Sequence, residues 1–349
     1  MVDRSQQAPA RKAITIKELA EHVGVHISTV SRALNPETRN LIGPDVAKRV
    51  LAAAAELGYV PNSMAAALRT GQSRTVGILI PDLMNPVFPP FIRGIQDALD
   101  GAGYTAIIAN SDGDKHYERV IVQKMKARFV AGLILATALY RDDPAVGECI
   151  ESGIPVVLIN RGVDNAEISA VVNDDRAGID AAVDHLVRLG HRRIVHAAGP
   201  QATYTGMMRH RAFVDAMQES GLPADETAVA FAAAYTVPAG QTVLGALLDR
   251  GKPFSAVIAA NDQLALGALD RLSEAGLRVP HDVSLVGFND MPLVDRIDPP
   301  LTTLRIQHYE MGAEAARILL DELTDPQRER RTVMLAPQLI VRDSTAPAA

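Results

Sequence analysis

The chain contains a single cysteine, Cys149, so no intrachain disulfide can form and a reducing compartment is expected. No run approaches 18 consecutive apolar residues, which excludes a membrane-spanning helix of ordinary length. The first twelve residues, MVDRSQQAPARK, lack the apolar segment of a secretion signal, so a cytoplasmic protein is expected. Residues 1–13 read as a flexible arm. Signatures of catalysis are missing too. No G-x-G-x-x-G follows a strand, and Gly101-Ala-Gly103 precedes one and suits a helix end better. Neither G-x-x-x-x-G-K-[ST] nor H-E-x-x-H occurs. His191 and His196 lie close in the sequence, but they flank a strand at 192–195 instead of sharing a helix face, which favours a surface turn and a strand end over a metal site. Glu18 and Glu21 read as a solvated helix face. No catalytic residue, cofactor or metal is expected. The C-terminal VRDSTAPAA has no apolar heptads, which argues against a coiled-coil tetramer.

What is present is a globular composition, 48% hydrophobic and 22% charged, in a 349-residue chain long enough for two or three domains. The formal net charge of -6 argues against a nucleic-acid partner until its distribution is considered. Residues 1–74 carry ten Lys and Arg against six Asp and Glu, a net of +4, which leaves -10 for the rest. A basic head on an acidic body is expected where only the head meets phosphate.

That head holds TIKELAEHVGVHISTVSRALN, residues 15–35. Thr15 and Glu18 form a capping-box pattern ahead of an apolar stripe of Ile16, Leu19, Ala20 and Val23, and Gly24 breaks the helix. A second helix over 27–34 buries Val30 and Leu34 and turns Ser28, Thr29, Ser31 and Arg32 outward. Small polar residues and one arginine suit a DNA major groove, although the stretch alone also fits an ordinary helical hairpin. Gly43-Pro44 opens a third helix with Asp45 in its first turn, running to Leu57 and closed by Gly58. Residues 64–69 are helix-prone but too short to be stable alone, which suits either a linker or a segment that folds upon DNA.

From Thr75 the pattern alternates strand and helix. Apolar strands are expected at 76–80, 104–109, 132–136, 156–159, 170–172, 193–197, 256–259, 283–287 and 301–304. Amphipathic helices between them include 91–99, 175–189, 209–219 and 261–274. Near-continuous apolar strands imply parallel sheets covered on both faces, too many for one sheet, so two are expected. Ligands of such folds sit beyond the carboxyl ends of strands, where Asp82, Asn85, Phe88, Asn160, Arg161, Asn261, Asp262, Asn289 and Asp290 lie. Singly, each Asn or Asp there suits a turn or helix cap; together they suit a cleft for a small polar ligand.

From about Ile14 to Asp343 the chain resembles the lactose-repressor (LacI/GalR) family of bacterial transcription regulators. The resemblance rests on residues 15–35, on ELGYVPNSMAAALRTG and TVGILIPDLMNPVF, and then on HLVRLGHRRI, AANDQLALGAL, VSLVGFNDM and PPLTTLR in order. It implies an α plus α/β architecture: a three-helix helix-turn-helix head at 14–60, a hinge helix and linker at 61–74, and a periplasmic-binding-protein-like core at 75–343. The core would comprise two doubly wound parallel-sheet subdomains, 75–172 with 302–335 and 173–301 with 336–343, followed by a tail at 344–349. The implied function is sequence-specific transcriptional regulation, as a repressor controlled by a small polar effector such as a sugar or sugar derivative. The implied partners are pseudo-palindromic double-stranded operator DNA, the effector and a second copy of the chain as a homodimer, with no membrane. DNA contacts would come from Thr15, His26, Ile27, Ser28, Thr29 and Arg32 on the head and from Asn62, Ala65, Leu68 and Arg69 in the hinge, Leu68 as a minor-groove wedge. Effector contacts would come from Asp82, Asn85, Phe88, Asn160, Arg161, Arg209, Asn261 and Asn289. The chain departs from the family in three places: His26 replaces the usual Ser or Thr cap, the loop before Pro44 is two residues longer, and Asn289 replaces an Asp of several relatives. A transport solute-binding protein is the alternative for the core, disfavoured by the head and by the lack of a secretion signal.

Overall fold

A computed structural model describes residues 14–35, 38–60, 73–164, 167–223 and 227–348. The chain divides into two compact units at Ser73 and Arg74. The arm at 1–13 and the hinge residues Asn62, Ala65, Leu68 and Arg69 lie outside the described residues.

In the first unit α1 spans Ile16–Val23 and begins with the expected capping box, Thr15 and Glu18 satisfying each other's backbone N–H. Gly24 ends it at φ 72°, a left-handed conformation that glycine adopts without a Cβ penalty. Helix α2 spans Ile27–Leu34 and α3 spans Pro44–Leu57, the latter starting on proline and ending at Gly58. Leu19, Val30 and Val50 are fully buried where the three helices meet. Each such side chain contributes roughly 1.5–3 kcal/mol by leaving water. Ala33, not Leu34, completes the buried stripe of α2, and Leu34 is only half buried. At 3.6 residues per turn, residues 33 and 34 flank the Val30 position on opposite sides, and the core of this unit lies on the Ala33 side.

The second unit contains two six-stranded sheets. Strands β1 (Thr75–Ile80), β2 (Thr105–Asn110), β3 (Gly132–Leu135), β4 (Val156–Ile159), β5 (Ser169–Asn173) and β11 (Thr332–Leu335) form the first, in the order β11-β5-β4-β3-β1-β2. Strands β6 (Ile194–Ala198), β7 (Val229–Phe231), β8 (Ala256–Ala259), β9 (Ser284–Asn289), β10 (Thr302–Arg305) and β12 (Gln338–Ile340) form the second, in the order β12-β10-β9-β8-β6-β7. Every pairing is parallel except β10 with β12. The intervening helices are α4 (Phe88–Gly101), α5 (Lys115–Ala127), α6 (Pro144–Glu151), α7 (Asp175–Arg188), α8 (Tyr204–Glu219), α9 (Val237–Asp249), α10 (Asp262–Glu274) and α11 (His308–Thr324). None of the described helices is long and apolar enough to cross a membrane.

The chain passes between the sheets three times, after β5, after β10 and after β11. This corrects two expected boundaries. Residues 302–305 pair with β9 and belong to the second sheet, so the return to the first sheet comes after them. Residues 344–348 are part of the second half as well. The Ser344 hydroxyl donates to the Leu285 carbonyl and accepts from the Thr302 N–H, and the Ala348 N–H donates to the Leu189 carbonyl. A stretch without hydrophobic periodicity is held here by backbone and hydroxyl hydrogen bonds, which periodicity does not report.

Helix α11 returns to pack on α4, and two glycines set how closely they approach. A Cβ on Gly94 would lie 2.1 Å from the Tyr309 carbonyl oxygen, and one on Gly312 would lie 2.2 Å from that of Phe91. Gly94→Ala is therefore expected to push the helices apart and destabilise the protein by about 1–3 kcal/mol. A thermal unfolding midpoint equal to wild type would show that the contact yields without cost.

Candidate DNA-binding face and effector cleft

On α2, Ile27 is 40% exposed, Ser28 and Arg32 are exposed, Thr29 and Ser31 are half buried, and Val30 and Ala33 face inward. The outward face thus offers one branched apolar surface, short hydroxyls and one guanidinium. His26 performs the task of the hydroxyl cap it replaces: its Nδ1 accepts the Ser28 N–H at 3.3 Å and lies 2.8 Å from the Ser28 hydroxyl. An imidazole nitrogen that accepts a helix N–H is a neutral acceptor, so the cap survives the exchange. Thr15 is less free than expected, since its hydroxyl donates to Glu18 at 2.9 Å and its backbone N–H at 2.7 Å. Two basic residues of the head are committed to structure. Arg39 donates to the Ala33 carbonyl at 2.9 Å and Arg49 to the Val23 carbonyl at 2.7 Å, satisfying carbonyls that the ends of α2 and α1 leave open.

In the second unit, the expected cleft residues lie at or just beyond the carboxyl ends of strands, or on a helix that reaches there. After β1, Asp82 accepts the Met84 N–H at 2.8 Å and Asn85 accepts the Val87 N–H at 3.1 Å, so both shape the turn into α4. Phe88 is 3% exposed, its ring centre 6.3 Å from that of Phe91. Asn160 ends β4 at φ 65° and accepts a hydrogen bond from the Asn173 amide at 3.2 Å. Next to it, Arg161 donates from Nη1 to the Thr137 carbonyl at 3.1 Å. Burial lowers the proton affinity of its guanidinium, and the charge of Arg209 acts in the same direction, against Tyr235, Glu118 and Asp143.

Arg209 on α8 is 2% exposed. It donates from Nε to Asp175 at 2.8 Å, at the start of α7 just after β5, and from Nη1 to the Ala260 carbonyl beyond β8. Its guanidinium lies 3.5 Å from the centre of the Phe288 ring, a cation–π contact. Burial raises the Asp175 carboxyl, and Arg209 opposes that rise. Asn261 caps α10 by accepting the Leu264 N–H at 2.9 Å. Asn289 ends β9 at φ 115°, a backbone conformation that costs about 1–3 kcal/mol for a residue with a Cβ. Beside it Asp290 binds Arg305 and Arg342, each at 2.7 Å.

Four polar atoms near the carboxyl ends of neighbouring strands are sealed from solvent without a partner among the described residues: Thr137 Oγ1, Arg161 Nε, Asn173 Oδ1 and Asp175 Oδ2. They come from the ends of β3, β4 and β5. Buried polar groups are normally paired, so such a cluster suits a polar ligand. The Tyr140 and Tyr204 rings stand 6.0 Å apart, and the Tyr140 N–H donates to the Ala202 carbonyl at 2.9 Å. Thr137, Asn173 and Asp175 escape a reading of the sequence that marks only the most prominent strand ends. The carboxyl-end rule applied to β3 and β5 finds all three. Asp262, marked at a strand end, instead holds structure: it accepts from the Thr303 hydroxyl at 2.6 Å and the Met291 N–H at 2.8 Å, and burial pushes its carboxyl up to about 7. His191 and His196 are engaged separately, His191 with the Ser255 hydroxyl and the Ala346 carbonyl, His196 with the Ile258 carbonyl.

Residues 15–62 match the family described as bacterial regulatory proteins, lacI family, and residues 183–345 match a periplasmic binding protein-like domain. The HTH-type transcriptional regulator MalR of Streptomyces coelicolor is 36% identical over 340 residues, which are 95% of this chain and 97% of that protein. Among solved structures, a transcriptional regulator CelR–cellobiose complex is 31% identical with a TM-score of 0.74, covering 95% of this chain and 99% of that one. The lac repressor dimer bound to operator and the anti-inducer ONPF is 27% identical with a TM-score of 0.84, covering 96% and 100%.

Proposed function

The chain belongs to the lacI family of bacterial regulatory proteins, and from that premise we propose that it represses transcription by binding a pseudo-palindromic operator as a homodimer, under control of a sugar-like effector. Helix α2 enters the major groove. Ile27 meets a thymine methyl, Ser28 and Thr29 hydrogen-bond to base edges or phosphate, and Arg32 pairs with guanine O6 and N7. His26 and Thr15 act beside them through the caps they form. In the hinge, Leu68 wedges into the minor groove with Ala65 against its wall, while Asn62 and Arg69 hold the backbone. The effector sits among Asp82, Asn85, Phe88, Asn160, Arg161, Arg209, Asn261 and Asn289, and shifts the population of the DNA-competent state according to its preference between core states.

The observation that carries the reading is the outward face of α2, with Ile27, Ser28 and Arg32 exposed above a buried Val30 and Ala33. The test is operator binding by the full chain, on a site selected from random duplexes. Arg32→Ala is expected to lose about 1–3 kcal/mol, or roughly 5- to 150-fold in affinity, and to relax preference at one base position. Unchanged affinity and selectivity would remove α2 from the groove.

A further inference from the structure

One guanidinium in the cleft has no counter-ion among the described residues. Arg209 lies 2.8 Å from Asp175, Arg342 lies 2.7 Å from Asp290, and Arg330 lies 2.6 Å from Glu322. Among the described residues Arg161 has only the neutral Thr137 carbonyl, and its Nε is sealed from solvent with no acceptor there. The two carboxylates whose field reaches it, Glu118 and Asp143, are held by Lys115 at 2.7 and 3.2 Å. The residue beside it, Asn160, is an amide that already accepts from Asn173. From the second half of the unit its electrostatic surroundings include the Tyr235 phenol and another cation, Arg209. Withdrawing a charge from water without a partner costs several kcal/mol, and proteins recover that cost by pairing the charge. A planar guanidinium with free donors is best satisfied by a carboxylate or a phosphate.

We propose that the effector is an anion: a sugar acid or sugar phosphate whose carboxylate or phosphate pairs with Arg161, while its hydroxyls donate to Asn173 Oδ1 and Asp175 Oδ2. The inference rests on the reading of this cleft as the effector site and adds the charge of its occupant. The neighbouring orphan Thr137 Oγ1 supplies one further hydrogen bond to the same end of the ligand.

Two measurements on the full-length protein test it. Without added ligand, Arg161→Met is expected to melt at or above the wild-type temperature, because removing an unpaired buried charge relieves a cost. A drop as large as that of Arg209→Met would mean that Glu118 and Asp143 hold Arg161 as a structural ion, and would overturn the proposal. Calorimetric titration then compares glucose with glucuronate and glucose 6-phosphate, and ribose with ribose 5-phosphate. A charged compound is expected to bind at least tenfold more tightly than its neutral counterpart, and Arg161→Met to erase that preference. Preference for the carboxylate over the phosphate, or the reverse, identifies which anion the site takes. Neutral sugars that bind as tightly as the charged ones sink the anion while leaving the cleft. Charged compounds whose binding survives both Arg161→Met and an Arg209→Lys variant bind elsewhere, and the cleft reading falls with them.

Discussion

Replacing Arg209 with methionine is expected to cost about 3–5 kcal/mol of stability, because it strands the carboxylate of Asp175 in a site where both side chains are 2% exposed. The methionine retains most of the length and apolar contact over Phe288, so the loss reports the charge and not the volume. Adding Asp175→Asn should recover part of it, since an amide left without the guanidinium is far cheaper to bury than an ion. Urea unfolding of wild type, the single variant and the double variant gives the comparison. A double variant less stable than the single one would mean that Asp175 is held by other groups and that the pair does not act as a unit. Arg209→Met is also expected to abolish the response to effector while operator binding persists, since the guanidinium ties the start of α7 to the chain just after β8, beside the candidate cleft.

The second large effect concerns acid. His196 on β6 is fully buried, its ring stacked on Phe213 with centres 4.9 Å apart, and burial holds its pKa down to about 3. The imidazole is neutral in the folded chain but takes a proton on unfolding once the pH falls below the usual histidine range. Its contribution is present above that range and lost as pH falls towards about 3, at roughly 1.4 kcal/mol for each pH unit. His196→Phe preserves the stack but has no proton to take up. The stability of wild type relative to this variant should therefore shrink as the pH is lowered from about 6.5 to about 4.5, by roughly 2–3 kcal/mol in all. A difference that stays constant across this interval would place a charged or solvated imidazole in β6. Asp262 works in the opposite sense, since its carboxyl is pushed up to about 7 and the stability gained by keeping it protonated is lost as the pH rises through that value.

The head was legible because its signals are local. Thr15, Glu18, Gly24, Pro44 and Gly58 mark helix ends through backbone chemistry that operates within a few residues. The inner strands were legible for another reason: β4 and β8 are buried on both faces and read as unbroken apolar runs. Edge strands lack that signal. Strand β7 has three residues with Phe231 half exposed, while β11 and β12 alternate too briefly to stand apart from loops. The crossing after β10 was misplaced for a related reason, because strand pairing is a long-range choice that a local apolar pattern does not encode. For the candidate cleft, the carboxyl-end rule marks Arg161 and Asn261 alike, but it does not reveal that Asn261 is spent on a cap while Arg161 Nε has no acceptor among the described residues. Nor could it show that Arg39 and Arg49, counted as basic charge, act as caps for carbonyls.

The threefold passage between the sheets has a consequence for how the chain emerges during synthesis. The first sheet contains five of its six strands by residue 173, yet the helix that covers α4 and the strand that closes its edge come only after residue 305. Until α11 is made, the surface around Phe91, Gly94 and Ile95 has no cover from its partner helix. The second sheet likewise waits for β12 and for Ser344, which joins Leu285 to Thr302. Each half waits on a segment that follows most of the other in the chain, so neither reaches its final packing until β11 and β12 have been made.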